Sequence, residues 1–554
     1  MEKYDFGKYI TILSIISFII LYPILNGLLG YFGEYTLCYS LYMLFIFIMS
    51  IKVISATEVR FNNIDVIFIL FSVWQITRVF ISEVPTDFSV QITYILFLLV
   101  YICMRNTYTE EILPYTCFGG GIIQASWGIL QQYDIIPGYN YFFKSTGTFD
   151  NPALWGIYLA IALLSAIHLA QKSKKTKYIY ILSIPLILYS LYISQSRAAW
   201  LSLIFGIITF IRLSKRRCTA IYMCLIILCL ILYIMRPTSA DGRLYIYIVS
   251  LGIFSSSPLI GRGISSFQAL YMPEQAKWLS EHSESRFFLI ADDTYYAFNE
   301  FIRIGCETGI IGLLLFLILI LLCLKITGNN KQEKPFAVRI LIAILVFSMF
   351  SYPFNETFYL ILFCIIIACI SNEERNTLYH FKCHKSITIL CIIMLGIHSV
   401  SSTREYRVYH NANHHISERY PLLKSSPLYT GYYGEKLFHE EKYKDAIPVL
   451  EQACLLRPNS KLICILGICY QKEKIYNRAE EKYIQAANMV PTRILPSYHL
   501  FNLYKEIGND YKAKEYANKI LSMRVKVVNS TVIRIRGEMR KYLKNEIKRK
   551  VQSL

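Results

Sequence analysis

Residues 307–324 read ETGIIGLLLFLILILLCL, and after Glu307 no charged side chain occurs until Lys325. A helix this apolar has no polar face to offer water, and its length approaches the roughly 20 residues that cross a bilayer. The rest of the chain is of the same kind. Across 554 residues it is 55% hydrophobic and 17% charged, with a mean hydropathy of +0.40, which excludes an ordinary soluble protein. Apolar runs lie near 9–25, 35–51, 64–82, 88–104, 112–131, 152–170, 178–194, 198–212, 218–235, 301–325, 336–352, 356–370 and 386–400. They predict an all-α integral membrane protein with about thirteen transmembrane helices, because a helix satisfies its own backbone in lipid. The first run lacks a small-residue cleavage site and is expected to remain as an anchor.

The formal net charge of +19 raises the question of nucleic acid, but its placement points elsewhere. Lys172, Lys174, Lys175 and Lys177 fill one short loop, and Arg212, Lys215, Arg216 and Arg217 a second. Lys325, Lys331 and Lys334 fill a third, and Arg375, Lys382 and Lys385 a fourth. Each is separated from the next by two spans, in one case with a large loop added. The positive-inside rule puts all four in the cytoplasm. The N-terminus is then inside, while the loop over 236–300 and everything after 401 lie outside. This layout predicts a membrane domain over 1–400 and an external domain over 401–554. No nucleic-acid partner is expected. The fifteen cysteines form no CxxC pair, so no metal or redox motif is signalled. Cys454, Cys464 and Cys469 read as buried packing thiols.

The tail repeats itself. Gly434, Ala446, Leu450, Ala453 and Pro458 recur as Gly467, Ala479, Tyr483, Ala486 and Pro491, with a weaker third copy at Leu500, Tyr504 and Ala513. The alanines are 33 and 34 residues apart, which is the tetratricopeptide period. Small residues let paired helices pack closely, and three such pairs predict a short solenoid. Its role is either a rigid prop against the membrane domain or a surface that binds a peptide or a protein partner. The basic end, from Arg534 and Arg536 through Arg540, Lys541, Lys544, Lys548, Arg549 and Lys550, reads as a solvated helix face that also suits anionic lipid.

Polar chemistry concentrates on the outer side. Ser194-Gln195-Ser196-Arg197-Ala198-Ala199-Trp200 forms a hairpin between two spans. Arg197 is either a snorkelling interfacial cation or a fixed partner for phosphate, which a guanidinium grips with two parallel hydrogen bonds. Arg243 follows Asp241-Gly242, and Arg262 sits within Pro258-Leu259-Ile260-Gly261-Arg262-Gly263, a weak glycine signature for phosphate. The external loop closes on Asp292-Asp293 and then Asn299-Glu300. Glu300, Arg303 and Glu307 share one helix face, either as a salt-bridge strip or as a polar wall around a ligand.

In their order, these motifs resemble the O-antigen ligase and O-antigen polymerase superfamily of membrane glycosyltransferases. The match rests on Gly147-Thr148-Phe149-Asp150-Asn151-Pro152, Ser196-Arg197-Ala198-Ala199-Trp200, Arg243 ahead of Pro258–Gly263, and Asn299-Glu300 with Glu307–Gly312, over roughly residues 110–325. The resemblance implies a GT-C-like membrane fold. It also implies transfer of a glycan from undecaprenyl diphosphate to an external acceptor, either lipopolysaccharide core or a protein hydroxyl, without metal or other cofactor. Arg197 and Arg243 would then hold the donor diphosphate, and Arg262 and Arg303 are further candidates. The family's closing motif usually places a histidine before the asparagine, where this chain has Phe298. Asp292, Asp293 and Glu300 are therefore the candidates for acid–base work, with His282 also in reach. A polymerase joining lipid-linked repeat units, a lipid-linked glycan transporter and a non-catalytic scaffold are the competing readings. The repeat domain is expected to select the acceptor rather than bind the donor.

Overall fold

A computed structural model describes residues 2–55, 59–105, 111–138, 142–211, 237–282, 284–327, 334–374, 379–381, 385–410 and 416–552. The expected span at 218–235, with Cys224 and Cys229, lies outside the described residues. So do Arg212, Lys215, Arg216, Arg217, Lys331, Arg375 and Lys382, and the side chains of Lys385, Lys548, Arg549 and Lys550. Among the described residues the regular structure is helical, apart from the short antiparallel pair Val59–Phe61 with Tyr379–Phe381. It divides into two compact units. One comprises Met1–Phe80, Phe88–Met223 and Phe298–Asn413; the other comprises Ile81–Asp87, Cys224–Ala297 and His414–Leu554.

Among the described residues of the first unit, four helices are long and apolar enough to cross a membrane: Tyr9–Leu29, Asn63–Phe80, Pro152–Lys172 and Glu300–Lys325. Six shorter apolar helices accompany them, at Glu34–Ser50, Phe88–Met104, Lys177–Ile193, Arg197–Ile208, Phe336–Ser348 and Thr357–Glu373. Three of the thirteen expected runs remain, and one of them, 218–235, lies outside the described residues. Leu113–Gln132 has the length of a span, but it carries Gln124 and Gln131, which are buried and hydrogen-bonded to the 146–148 turn. In Lys385–His410, the expected span at 386–400 has an outward face of Ile389, Leu390, Ile393, Met394, Ile397 and Val400, fitted to hydrocarbon rather than water.

Polar contacts inside this unit gather the connections into two groups. Asp65 receives a bidentate bond from Arg105 at 2.6 and 2.8 Å, and Asn62 and Asn372 bond within the same cluster. The second group joins Asn151 to Tyr352, Glu34 to Thr357 and Glu300 to the Phe354 amide. In the expected topology the first group belongs to loops on one side and the second to loops on the other. Lys334 donates to the Leu324 and Ile326 carbonyls at 2.6 and 3.1 Å and caps the end of Glu300–Lys325, where the helix dipole favours a cation.

The second unit takes in the described loop helices Pro237–Ser256 and Ser266–Glu281 together with the C-terminal helices. This differs from a cut at residue 401, since Lys385–His410 runs straight through that point. The C-terminal helices pack in consecutive pairs, Pro427–His439 with Tyr443–Leu456, Ser460–Lys472 with Tyr476–Met489, and Ile494–Ile507 with Asp510–Ser522. The alanines that marked the period, Ala446, Ala479 and Ala513, are all fully buried in one core. Cys454, Cys464 and Cys469 are free thiols, and burial pushes the Cys464 thiol up to about 12.

His499 stacks on Tyr483 with ring centroids 5.2 Å apart, and burial pushes its pKa from 6.5 down to about 4. Between those values the unfolded chain binds a proton that the folded chain refuses, so stability falls as pH drops from 6.5 towards 4. The cost is on the order of 1–3 kcal/mol. Hydrogen exchange across residues 476–507 of the full chain should therefore accelerate over that window. In His499→Phe the acceleration should be largely absent; an unchanged pH profile would remove His499 as its origin.

Candidate functional site

In the first unit, Arg197 begins the helix Arg197–Ile208. Ser196 caps that helix by accepting the Ala199 amide at 3.2 Å, and Gln195 just before it is held at φ 50°. A residue with a side chain in the left-handed region costs energy, and such positions gather where geometry is prescribed. Arg197 is partly buried and sits where the helix dipole favours an anion. The Gly147–Pro152 motif builds a second turn. Asn151 caps Pro152–Lys172 through the Ala153 amide and donates to the Tyr352 hydroxyl at 2.7 Å.

The third element is Asn299, whose Oδ1 accepts from the Phe301 and Ile302 amides and starts Glu300–Lys325. Phe298, at φ 50°, sets its ring edge-on against Tyr352 with centroids 5.3 Å apart. Both oxygens of Glu300 are engaged, one by the Phe354 amide at 2.7 Å and the other by Arg303 Nε at 2.6 Å. Arg303 also donates to Glu307 at 2.9 Å. This is a buried three-membered ion network. It satisfies Glu300 and Arg303 internally and leaves neither well placed as proton acceptor or phosphate clamp.

The helix is not continuous. Gly309 adopts φ 68° and ψ −170°, a conformation open essentially to glycine alone, and divides Glu300–Thr308 from Ile310–Lys325. Trp74 Nε1 donates to the Thr308 carbonyl at 3.0 Å, satisfying an acceptor released at the break. The sequence reads as one hydrocarbon helix because the residue that repairs the break lies more than two hundred positions away.

The second unit holds the other candidates. Arg243 lies in Pro237–Ser256 and is partly buried. Arg262 pairs with both oxygens of Glu83, at 2.8 and 2.7 Å, and bonds Ser256. A Cβ on the neighbouring Gly263 would meet Ser82 atoms at 2.4–2.6 Å, so that glycine admits the 82–83 backbone. The Pro258–Gly263 motif thus packs chain against chain. His282 stacks on Trp278 and bonds its carbonyl at 2.9 Å. Asp292 and Asp293 are bridged by Arg493, whose nitrogens reach them at 2.7 and 2.6 Å. Lys526 adds a bond to Asp292 at 2.9 Å, and the Ser460 amide one to Asp293 at 3.1 Å. Burial alone would raise the Asp292 pKa, but Lys526, the Asp293 amide and Arg493 outweigh it and hold the carboxyl below its ordinary range.

Two features escaped sequence reading. The turn Ser351–Thr357 joins two motifs of the first unit and Glu34 through Tyr352, Phe354 and Thr357, and it carries Glu356, whose charge neighbours are Glu34 and Asp150. Its signal was present in a short polar Pro- and Asn-containing hairpin between apolar runs on the same expected side as Arg197. Arg493, by contrast, carries no local signal.

Residues 181–317 match the family model described as O-antigen ligase. No curated protein matches the chain. The matched segment contains Arg197, Arg243, Arg262 and the Asn299–Gly312 motif, and leaves out the Gly147–Pro152 turn and the whole C-terminal domain.

Proposed function

We propose, from the match of residues 181–317 to the family model described as O-antigen ligase, that this membrane protein transfers an oligosaccharide from undecaprenyl diphosphate to an external acceptor. The acceptor is lipopolysaccharide core or a protein hydroxyl. The observation that carries this reading is Arg197, fixed at the first turn of an apolar helix by a strained, capped hairpin. A permanent cation beside a helix N-terminus suits the charge that develops when the diphosphate leaves the anomeric carbon. Arg243 has the second donor-holding role that the resemblance implies. The acceptor hydroxyl attacks that carbon and gives up its proton. With Glu300 engaged on both oxygens and the Asp292–Asp293 pair held by Arg493 and Lys526, the proposed acceptor of that proton is Glu356. The polymerase reading uses the same chemistry, with a second lipid-linked glycan as acceptor. The expected orientation places the reaction on the periplasmic side of the inner membrane, and the C-terminal domain is proposed to be a tetratricopeptide-type solenoid.

Deleting the gene and following both lipid-linked glycan and surface glycan tests the proposal. Donor should accumulate while one surface molecule loses its sugar, and the wild-type gene should reverse both changes. Loss of short glycan on the acceptor marks a ligase; loss of long chains with single units retained marks a polymerase. Unchanged levels of donor and product would exclude both.

A further inference from the structure

We infer that the C-terminal domain works in cis as a brace on the external loop, with Arg493 as a positioning residue for the segment that leads into the Asn299–Glu300 helix. The contacts are specific and lie wholly within the second unit. Arg493 spans two consecutive carboxylates with two nitrogens, an arrangement that fixes direction as well as distance. Two residues further on, the Tyr295 ring lies under the Arg457 guanidinium at 3.7 Å. Gln275, almost fully buried on the loop helix Ser266–Glu281, uses one amide nitrogen to bond both the Asp292 carbonyl at 3.1 Å and the Met489 carbonyl at 2.8 Å. The partners on the C-terminal side, Arg457, Ser460, Met489 and Arg493, all sit at or beside the turns between successive helices. The opposite ends of those pairs are left to their own polar contacts, such as Tyr483 with Gln471 and Gln471 with Glu506.

Four residues after Asp293 the chain reaches Ala297, and then comes Phe298 with its strained backbone and the cap Asn299. A loop tied down at 292, 293 and 295 has its own conformation fixed to within a few residues of that cap. Untied, a polar loop of this length would sample many conformations, and ordering it would cost conformational entropy in every catalytic cycle. This gives Asp292 and Asp293 a use other than proton transfer. It also changes the expected effect of removing the C-terminal domain, since donor use and not acceptor choice alone should fail. That functional half rests on the glycan-transfer reading above; the structural half does not.

Hydrogen exchange on the purified full-length protein, with glycan transfer followed in cells, tests both halves. In Arg493→Ala, exchange across residues 284–300 should rise at least tenfold and surface glycan should fall about tenfold at equal protein level. Arg493→Lys should recover only part of each, because a point charge serves one carboxylate at a time. The swap Asp293→Arg with Arg493→Glu should restore much of both, which a catalytic Asp293 would forbid. Should Arg493→Ala fail to accumulate, Asp292→Asn with Asp293→Asn removes the same tie from the loop side. Unchanged exchange would overturn the brace, and so would increased exchange with normal transfer or a swap as inactive as the single variants. If the wild-type protein consumed no lipid-linked donor, the transfer reading would fall while the exchange result stood.

Discussion

Replacing Arg197 with alanine is expected to lower glycan transfer by about a hundredfold while leaving the amount of protein in the membrane nearly unchanged. Losing one charge-assisted contact costs about 1.5–3 kcal/mol, roughly ten- to a hundredfold in rate, and more where the contact strengthens as the diphosphate departs. The helix should survive, because its start is set by Ser196 and not by the arginine. Arg197→Lys should rescue poorly, since an ammonium cannot reproduce the two-pronged grip on phosphate oxygens. An arginine that merely anchors the helix at the interface predicts the reverse, because lysine snorkels equally well. Transfer in cells by both variants, normalised to protein level, decides the matter. Near-normal activity in Arg197→Lys would defeat the clamp. Arg243→Ala and Arg243→Lys should follow the same pattern.

Arg303→Ala is expected to do its damage before any chemistry begins. It would leave Glu300, fully buried, and Glu307, nearly so, without their shared cation. Removing one member of such a network costs about 3–5 kcal/mol, a large part of the 5–15 kcal/mol that holds a typical domain together. Folded protein recovered from membranes should fall sharply, and what remains should unfold at a lower temperature. The triple change Glu300→Gln, Arg303→Met and Glu307→Gln removes all the charge at once and should restore most of the yield, as neutral replacements of buried ion networks do. If Arg303 instead served the donor, Arg303→Ala would insert and unfold normally and lose only transfer. That outcome would sink the structural assignment.

What sequence could and could not show follows from how far apart the interacting residues lie. The apolar runs announce themselves, because hydropathy is local. So do the helix pairs of the tail, whose alanines recur at fixed spacing and are all buried. Ser196 and Asn299 lie inside motifs singled out from the sequence, but their capping roles emerge only from the amides each satisfies two or three residues on. Asp292 and Asp293 are candidates for acid–base work because Phe298 stands where the family has histidine, and their partner Arg493, two hundred residues on, leaves no local sign. Glu300 was legible as part of an i, i+3, i+7 strip with Arg303 and Glu307, but not as an anchor for the Phe354 amide. The ambiguity between a salt-bridge strip and a ligand wall could be resolved only by finding both oxygens occupied. The Ser351–Thr357 turn stood in plain view between two apolar runs, and was passed over because it belongs to no motif.

The break at Gly309 has a consequence for the lipid around the protein. The sixteen residues from Ile310 to Lys325, at 1.5 Å each, extend about 24 Å, several ångströms short of the roughly 30 Å of hydrocarbon in a typical bilayer. The polar nine-residue half before the break cannot make up the shortfall in contact with acyl chains. Membranes meet such a mismatch by thinning locally, at a cost of fractions of a kcal/mol per ångström. The leaflet beside the Asn299 end would be drawn down into a shallow dimple. Lipid headgroups there would sit closer to the bilayer centre than elsewhere around the protein.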